Sequence, residues 1–308
     1  LVERLLEHGW DVAVIDDLST GREVNLSAVR DCITFLKANI LDEGKLSEAM
    51  RGCDVVFHLA AAVGVGQALR NPIHTLEVNL FGTVKVLRAA LNLGVKVVFT
   101  SSSEVYGRSS DVPLKETDFV TMGPTYRPRW GYGYSKAMGE FLCLAYNRDH
   151  GLPVVVLRLF NTIGPRQSGR YGMVVPKFVE QALTGRPITV YGDGRQTRCF
   201  AYVGDVADAV AKVGCSEEVV GGVFNLGNDE EVSINALART VRRLCGSNSP
   251  IVHIPEEKLY DGMFDDIPRR VPDISRIRML IGYEPKTSLE DSITEVIRFY
   301  RRSHNYEF

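Results

Sequence analysis

The sequence predicts an α/β protein: a doubly wound parallel sheet joined to a smaller, mixed α/β domain. Three observations carry this. Short apolar runs recur at Val12–Ile15, Cys53–His58, Val95–Thr100 and Pro153–Leu157, and continuous apolar segments suit strands buried on both faces. Helical spacing fills the intervals Lys45–Arg51, Thr75–Leu93 and Ser135–Arg148, and strands alternating with helices build βαβ units. After about residue 165 this rhythm changes.

Taken in order, the chain opens inside a helix: Leu1, Val2, Leu5 and Leu6 share one face, and Gly9 suits the position just past its end. The strand Val12–Ile15 runs into Asp16-Asp17. Beyond residue 165 the pattern predicts a helix over Val175–Thr184, a strand at Ile188–Tyr191, a loop through Gly192-Asp193-Gly194 and a helix over Val206–Val213. Val223–Leu226 is predicted to return to the main sheet, Ser233 to N-cap a helix over Ile234–Cys245, and Leu289–Arg302 to form a terminal helix. Residues 1–165, with 201–230 partly returning, form the first domain, and 166–308 the second.

Composition narrows the class. The 308 residues are 45% hydrophobic and 24% charged, which excludes wholesale disorder. The 36 Lys plus Arg against 38 Asp plus Glu give a formal charge of −2, so neither nucleic acid nor an anionic membrane is expected as the main partner. Six cysteines (Cys32, Cys53, Cys143, Cys199, Cys215 and Cys245) are scattered without a C-x-x-C pair. Their spacing predicts buried free thiols in a reducing compartment, with no disulfide framework and no metal site. The longest apolar stretch, Val55–Val65, falls short of the ~18 residues of a membrane span, and no signal peptide is visible. These features predict a soluble cytoplasmic protein.

Chemistry enters at the strand ends. Asp16 closes a strand of such a sheet, where a carboxylate accepts the ribose hydroxyls of NAD and repels the 2′-phosphate of NADP. By itself the turn Asp16–Gly21 reads rather as a solvated loop. The glycine-rich phosphate loop and the first strand of a Rossmann-like sheet are expected before Leu1. Tyr132-Gly-Tyr-Ser-Lys136 places a phenol and an ammonium at i and i+4 on one helix face. A neighbouring cation favours the phenolate, which predicts Tyr132 as a general base near neutral pH. Tyr134, the competitor in register, has Met138 at i+4. Upstream, Ser101-Ser102-Ser103-Glu104 follows the run Val97–Thr100, at the strand end where open α/β sheets bind ligands. A serine there bridges a substrate hydroxyl and Tyr132. His58 reads as a satisfied core residue.

The ordered set Asp16–Gly21, His58-Leu59-Ala60-Ala61, Asn79–Thr83, Ser101–Gly107, Tyr132-x-x-x-Lys136 and Arg158-Leu-Phe-Asn161-x-x-Gly-Pro165 resembles the extended short-chain dehydrogenase/reductase family. Within it the chain is most similar to the NAD-dependent nucleotide-sugar epimerases, dehydratases and decarboxylases, above all the UDP-glucose 4-epimerase type. The resemblance implies an NAD-binding first domain and a nucleotide-sugar-binding second domain. It implies that Asp16, Asp17, Leu59, Ala60 and Ala61 bind the cofactor, with Lys136 also holding the nicotinamide ribose. It implies catalysis by Tyr132, Lys136, Ser102, Ser103 and Glu104. Asn79 is implied to be structural, while Asn161, Tyr191, Gln196, Arg198, Arg270 and Asp273 are implied to bind the sugar nucleotide, with Arg198 and Arg270 on its diphosphate. Arg269 is the weaker candidate of its pair. The two helices over Thr75–Leu93 and Ser135–Tyr146 are implied to pack against a second subunit as a homodimer.

The shared chemistry of this group begins with oxidation at sugar C4. Dehydratases carry Asp-Glu where this chain has Ser103-Glu104, so dehydration is disfavoured. The serine run, the Asp-Asp-Leu-Ser-Thr-Gly turn and the loop Gly164–Gly172 resemble the epimerases, and predict NAD-dependent 4-epimerisation of a UDP-sugar. Ser102-Ser103-Glu104 and Arg269–Asp273 also approximate the UDP-glucuronate decarboxylases, which stand as the alternative. A third reading is a non-catalytic nucleotide-sugar binder, against which the Tyr132–Lys136 pair argues.

Overall fold

The computed structural model describes residues 1–109, 111–169, 173–255, 258 and 267–303. Helix α1 (Val2–Glu7), strand β1 (Val12–Asp16), a polar 3₁₀ stretch over Glu23–Cys32 and strand β2 (Ile33–Lys37) come first. Helix α2 (Glu43–Met50) follows, capped by the Asp42 carboxylate, which accepts from Lys45 N at 3.0 Å. Next are β3 (Val55–His58), α3 (Val65–Arg70), α4 (Pro72–Leu76), α5 (Gly82–Leu93), β4 (Lys96–Ser102), α6 (Gly131–His150) and β5 (Val154–Leu159). The rest of the chain comprises β6 (Thr162–Ile163), α7 (Val174–Leu183), β7 (Ile188–Tyr191), β8 (Thr197–Cys199) and β9 (Ala201–Tyr202). Then follow α8 (Val203–Cys215), β10 (Val223–Leu226), β11 (Glu231–Ser233), α9 (Ile234–Leu244), β12 (Ile251–Ile254), α10 (Ser275–Ile281) and α11 (Leu289–Ser303).

A parallel sheet in the order β10-β5-β4-β3 forms the centre, so Val223–Leu226 pairs with the main sheet. Where both faces are covered the strands are apolar, as over Val97–Phe99 and Val154–Leu157, with Thr100–Ser102 and Arg158 toward their carboxyl ends. Val97, Phe99, Val154 and Val156 pack with Leu46, Leu87 and Cys143 from α2, α5 and α6. Val98, Val155 and Leu157 point the other way, onto Val206 and Val210 of α8 and Ile277 of α10. Gly139 lets α6 approach β4, since a Cβ there would lie 2.5 Å from the Phe99 ring tip. β1 and β2 pair parallel as a separate two-stranded sheet. Trp10 and Phe57 meet across the interval between β1 and β3, with ring centroids 6.1 Å apart.

The C-terminal part has its own core, in which Phe178 of α7, Leu237 and Val241 of α9 and Ile293 and Ile297 of α11 enclose Ile188 and Val190. Short pairs complete it: β12 runs parallel with β7, β6 with β9, and β11 antiparallel with β8. Ser233 caps α9, its hydroxyl accepting from Ala236 N at 3.2 Å.

Two expectations change. The helix expected over Thr75–Leu93 is interrupted by a π turn at Glu77–Phe81. Asn79 explains it: the buried side chain accepts from Ala62 N at 2.9 Å and donates to Ser135 Oγ at 3.0 Å, so the helix widens to reach both. The thiols are not uniformly buried. Cys143, Cys199 and Cys245 are, but Cys32 and Cys215 are exposed at the ends of a polar 3₁₀ stretch and of α8. His58 sits in the core, its Nε2 3.0 Å from Thr83 Oγ1, and burial holds its pKa down at about 3, so the ring stays neutral. Among the described residues, no helix is long and apolar enough to cross a membrane.

Candidate active site

The site forms where β4 ends. Ser102 caps the 3₁₀ turn Ser103–Tyr106, its hydroxyl accepting from Glu104 N at 3.2 Å, which sets Ser102, Ser103 and Glu104 at the carboxyl edge of the sheet. A second 3₁₀ turn, Pro128–Trp130, leads into α6 and carries Arg129 and Tyr132 to the same edge. The segment before α10 supplies Arg270. Between these elements lies a cavity of about 760 Å³.

Ser102, Ser103, Glu104, Tyr132 and Lys136 all line it, as does Leu59 at the end of β3. Asn161, Tyr191, Gln196, Arg198 and Arg270 line the same space. Three groups are held by backbone carbonyls: Asn161 Nδ2 donates to Cys199 O at 3.2 Å, Gln196 Nε2 to Tyr191 O at 3.1 Å, and Arg198 Nη1 to Ile267 O at 2.7 Å. Lys177 donates to the Tyr191 hydroxyl at 3.2 Å, adding a cation that periodicity alone did not single out.

Other expected residues fall elsewhere. Asp273 lies in a separate recess, where its carboxylate accepts from Ser275 N at 2.9 Å ahead of α10, so a local turn takes up the group that motif matching had assigned to the ligand. Arg269 is exposed and paired with Glu231 at 2.8 Å. Asp16 is exposed at the end of β1, one oxygen accepting from Leu18 N at 2.7 Å. Asp17 is taken up by its own turn, accepting from Asn39 Nδ2 at 2.7 Å and Ser19 N at 2.9 Å. Ala60 and Ala61 follow Leu59 in the loop after β3, outside the cavity lining. Part of the Gly164–Gly172 loop, residues 170–172, lies outside the described residues. Among the described residues no cluster of His, Cys, Asp or Glu is placed to hold a metal ion.

The electrostatics differ from the expected Tyr–Lys coupling. Lys136 is buried and donates to Thr100 O at 2.8 Å, and burial lowers its pKa to about 8 although Cys143 and Glu140 oppose the shift. The Tyr132 phenol is pushed up, first by burial and then by the Glu104 charge, against the Ser102 hydrogen bond. Burial and Glu104 thus favour the phenol over the phenolate, opposite to the effect expected of Lys136. Tyr134 instead donates to Gly123 O at 3.0 Å and does not line the cavity.

The group that spacing did not reveal is the charge cluster around Glu104. Arg129 Nη1 holds Glu104 Oε2 and Arg270 Nη1 holds Oε1, both at 2.7 Å. Burial opposes ionisation of Glu104, but the guanidiniums of Arg270 and Arg129 prevail and bring its pKa to about 2. Arg270, expected on a diphosphate, is thus engaged by a carboxylate beside Tyr132.

The profile of the NAD dependent epimerase/dehydratase family matches residues 1–227. A UDP-N-acetyl-alpha-D-glucosaminuronate decarboxylase of Bacillus cytotoxicus is 39% identical over 306 residues, covering 99% of this chain and 94% of the relative. UDP-glucuronic acid decarboxylase 1 of Xenopus tropicalis is 34% identical over 307 residues, covering 100% of this chain and 70% of that protein. Among solved structures, a UDP-glucose 4-epimerase of Thermotoga maritima with UDP-glucose superposes with a TM-score of 0.88 at 30% identity, covering 98% of this chain and 94% of the other.

Tyr132→Phe, which removes only the ionisable hydroxyl, should lower turnover on the substrate by roughly 10²–10⁴-fold, as for other acid–base groups. Thermal melting of the variant should stay close to that of the parent chain. Near-normal turnover would remove Tyr132 from the proton path.

Proposed function

The chain belongs to the NAD-dependent epimerase/dehydratase family, and from that premise we propose that it decarboxylates a UDP-uronic acid. The observation that carries this reading is the pair of guanidiniums, Arg129 and Arg270, gripping a carboxylate beside Tyr132 in the cavity wall. A hexuronate brings a carboxylate at C6, and a cation at that depth suits it. The hydroxymethyl group of a neutral hexose offers Arg270 no charge in exchange for Glu104. Similarity to two decarboxylases of uronic-acid sugar nucleotides supports the same reading.

The residues fit the family cofactor. Asp16 stands exposed at its strand end. Leu59 borders the cavity near Tyr132 and Lys136. In this reading Asp16 holds the adenosine ribose, Leu59, Ala60 and Ala61 flank the diphosphate, Lys136 holds the second ribose, and Asp17 shapes the turn. NAD, when bound, supplies the hydride acceptor for C4 and a positive ring that favours the Tyr132 phenolate.

Tyr132 takes the C4 hydroxyl proton, relayed by Ser102. The resulting 4-ketone lies β to the C6 carboxylate, which Arg270 and Ser103 orient. The C5–C6 bond breaks, carbon dioxide leaves, and the electron pair passes into the 4-enolate, which is then protonated at C5. Tyr132 returns its proton to O4 when C4 is reduced again. The UDP moiety lies against Tyr191, Gln196, Arg198 and Asn161, with Lys177 near the phosphates. A second reading, 4-epimerisation, is favoured by the run Ser101–Ser103 and by likeness to a UDP-glucose 4-epimerase.

The chain is further proposed to act as a homodimer through α5 and α6. Phe141 and Met138 on α6 and Phe81 just before α5 are exposed, and large apolar side chains grouped at a surface mark contact sites. Light scattering should give twice the 34.2 kDa chain mass, and Phe141→Glu should halve it; a monomeric parent chain contradicts this.

Incubation with UDP-glucuronate, UDP-N-acetylglucosaminuronate and UDP-glucose, followed by NMR of the products, tests the reaction. Release of carbon dioxide and a UDP-pentose from a uronate is the expected outcome. Inversion at C4 with all six carbons kept would replace decarboxylation by epimerisation.

A further inference from the structure

Arg129 is among the most deeply enclosed side chains of the chain, 2% exposed. A guanidinium taken that far from water needs fixed partners to offset its desolvation. One is Glu104 Oε2 at 2.7 Å; the Trp130 ring is another, its centroid 4.8 Å from the guanidinium carbon. Arg129 sits in the 3₁₀ turn three residues before Tyr132, on a segment continuous with α6. Arg270 holds the other Glu104 oxygen from a segment remote in sequence, and lies 3.4 Å from Ser103 Oγ. One carboxylate thus has two cations, one anchored beside the catalytic helix and one in the strip before α10.

This asymmetry has a chemical consequence. If Arg270 turns toward a ligand carboxylate, Glu104 loses a partner in a site only 13% exposed, and a nearly buried carboxylate without a cation is costly. With Arg129 in place it keeps one. Without Arg129 the guanidinium left on Glu104 among the described residues would be Arg270, held there by a strong charge-assisted bond. Among the described residues the ionisable groups interacting with Glu104 are Arg270, Arg129 and Tyr132.

We propose that Arg129 is a positioning residue that makes Arg270 exchangeable: it retains Glu104 while Arg270 moves to the carboxylate of an acidic sugar nucleotide. Acting through Glu104, it sets the preference for a uronate over a neutral hexose. The identity of the ligand rests on the decarboxylase reading, but the preference is a binding property and is measured without turnover.

Calorimetric titration with UDP-glucuronate and with UDP-glucose, on the full chain and its variants, provides the test. Arg129→Met should weaken UDP-glucuronate binding by roughly tenfold at neutral pH, the scale of one charge-assisted hydrogen bond, and leave UDP-glucose binding unchanged. In that variant the loss should shrink as the solution is made more acidic, because protonation of Glu104 removes the charge that holds Arg270 and frees it for the ligand. The double variant Arg129→Met/Glu104→Gln should regain uronate affinity at neutral pH. A purely structural Arg129 would weaken both ligands alike, with no recovery on acidification or in the double variant, and that result overturns the proposal. Should Arg129→Met melt early, Arg129→Lys carries the test: its single-point cation should cost part of the uronate preference, restored by Glu104→Gln, and equal loss for both ligands overturns it. If the parent chain releases no carbon dioxide from UDP-glucuronate, the decarboxylase reading fails by itself. If the parent chain binds the two ligands equally, the positioning role of Arg129 fails.

Discussion

A carboxylate enclosed between two guanidiniums cannot be assembled piecemeal. Glu104, Arg129 and Arg270 come from the loop after β4, the turn before α6 and the strip before α10. Any one of them, left in the site without its partners, is a nearly buried charge and strongly destabilising. The three segments are therefore held to one point, and the cavity is the space they leave beside it. Ser102 and Ser103 are fixed because they lead into Glu104, and Tyr132 is fixed because it follows Arg129 by less than one helical turn. The site chemistry inherits its geometry from this charge cluster.

A second buried pair lies one layer deeper and holds the catalytic helix on the sheet. Glu140 accepts from Arg158 Nη2 at 2.7 Å and from Ser101 Oγ at 2.5 Å. Ser101 and Arg158 stand opposite each other in the β4–β5 register, so α6 is pinned across two adjacent strands. Glu140 lies one turn beyond Lys136 and two beyond Tyr132, on their face of the helix. With Gly139 permitting close approach to Phe99, this fixes both the height and the rotation of α6. The same tight packing lowers the Lys136 pKa and raises that of Tyr132, by excluding water.

Local signals made much of this legible. Continuous apolar runs marked β1, β3, β4 and β5, and i, i+4 spacing picked Tyr132 over Tyr134, which the structure turns toward Gly123. The strand Ile33–Lys37 was not legible, since it follows a polar 3₁₀ stretch and its residues alternate only weakly. The π turn was hidden because its cause, Asn79 reaching Ser135, spans 56 residues. Arg129 escaped notice because surface arginines are common and Pro-Arg-Trp has no periodicity to set it apart. Arg270 announced an anion, but a guanidinium does not say whether that anion is a phosphate or a carboxylate. Asp273 matched a motif while its oxygen was already spent on the turn to Ser275.

The proposed reaction is a property of this cluster more than of the fold, which epimerases and decarboxylases share. A site that stores a carboxylate between two cations is organised to receive another in its place. The state of Glu104 is therefore the central claim, and infrared difference spectroscopy of the parent chain against Glu104→Gln reads it directly. An ordinary glutamate is half-protonated near pH ~4.3. The Glu104 carboxylate band should persist well below that pH, toward about 2. A protonated carboxyl band growing in with a midpoint at or above the ordinary value would contradict the account.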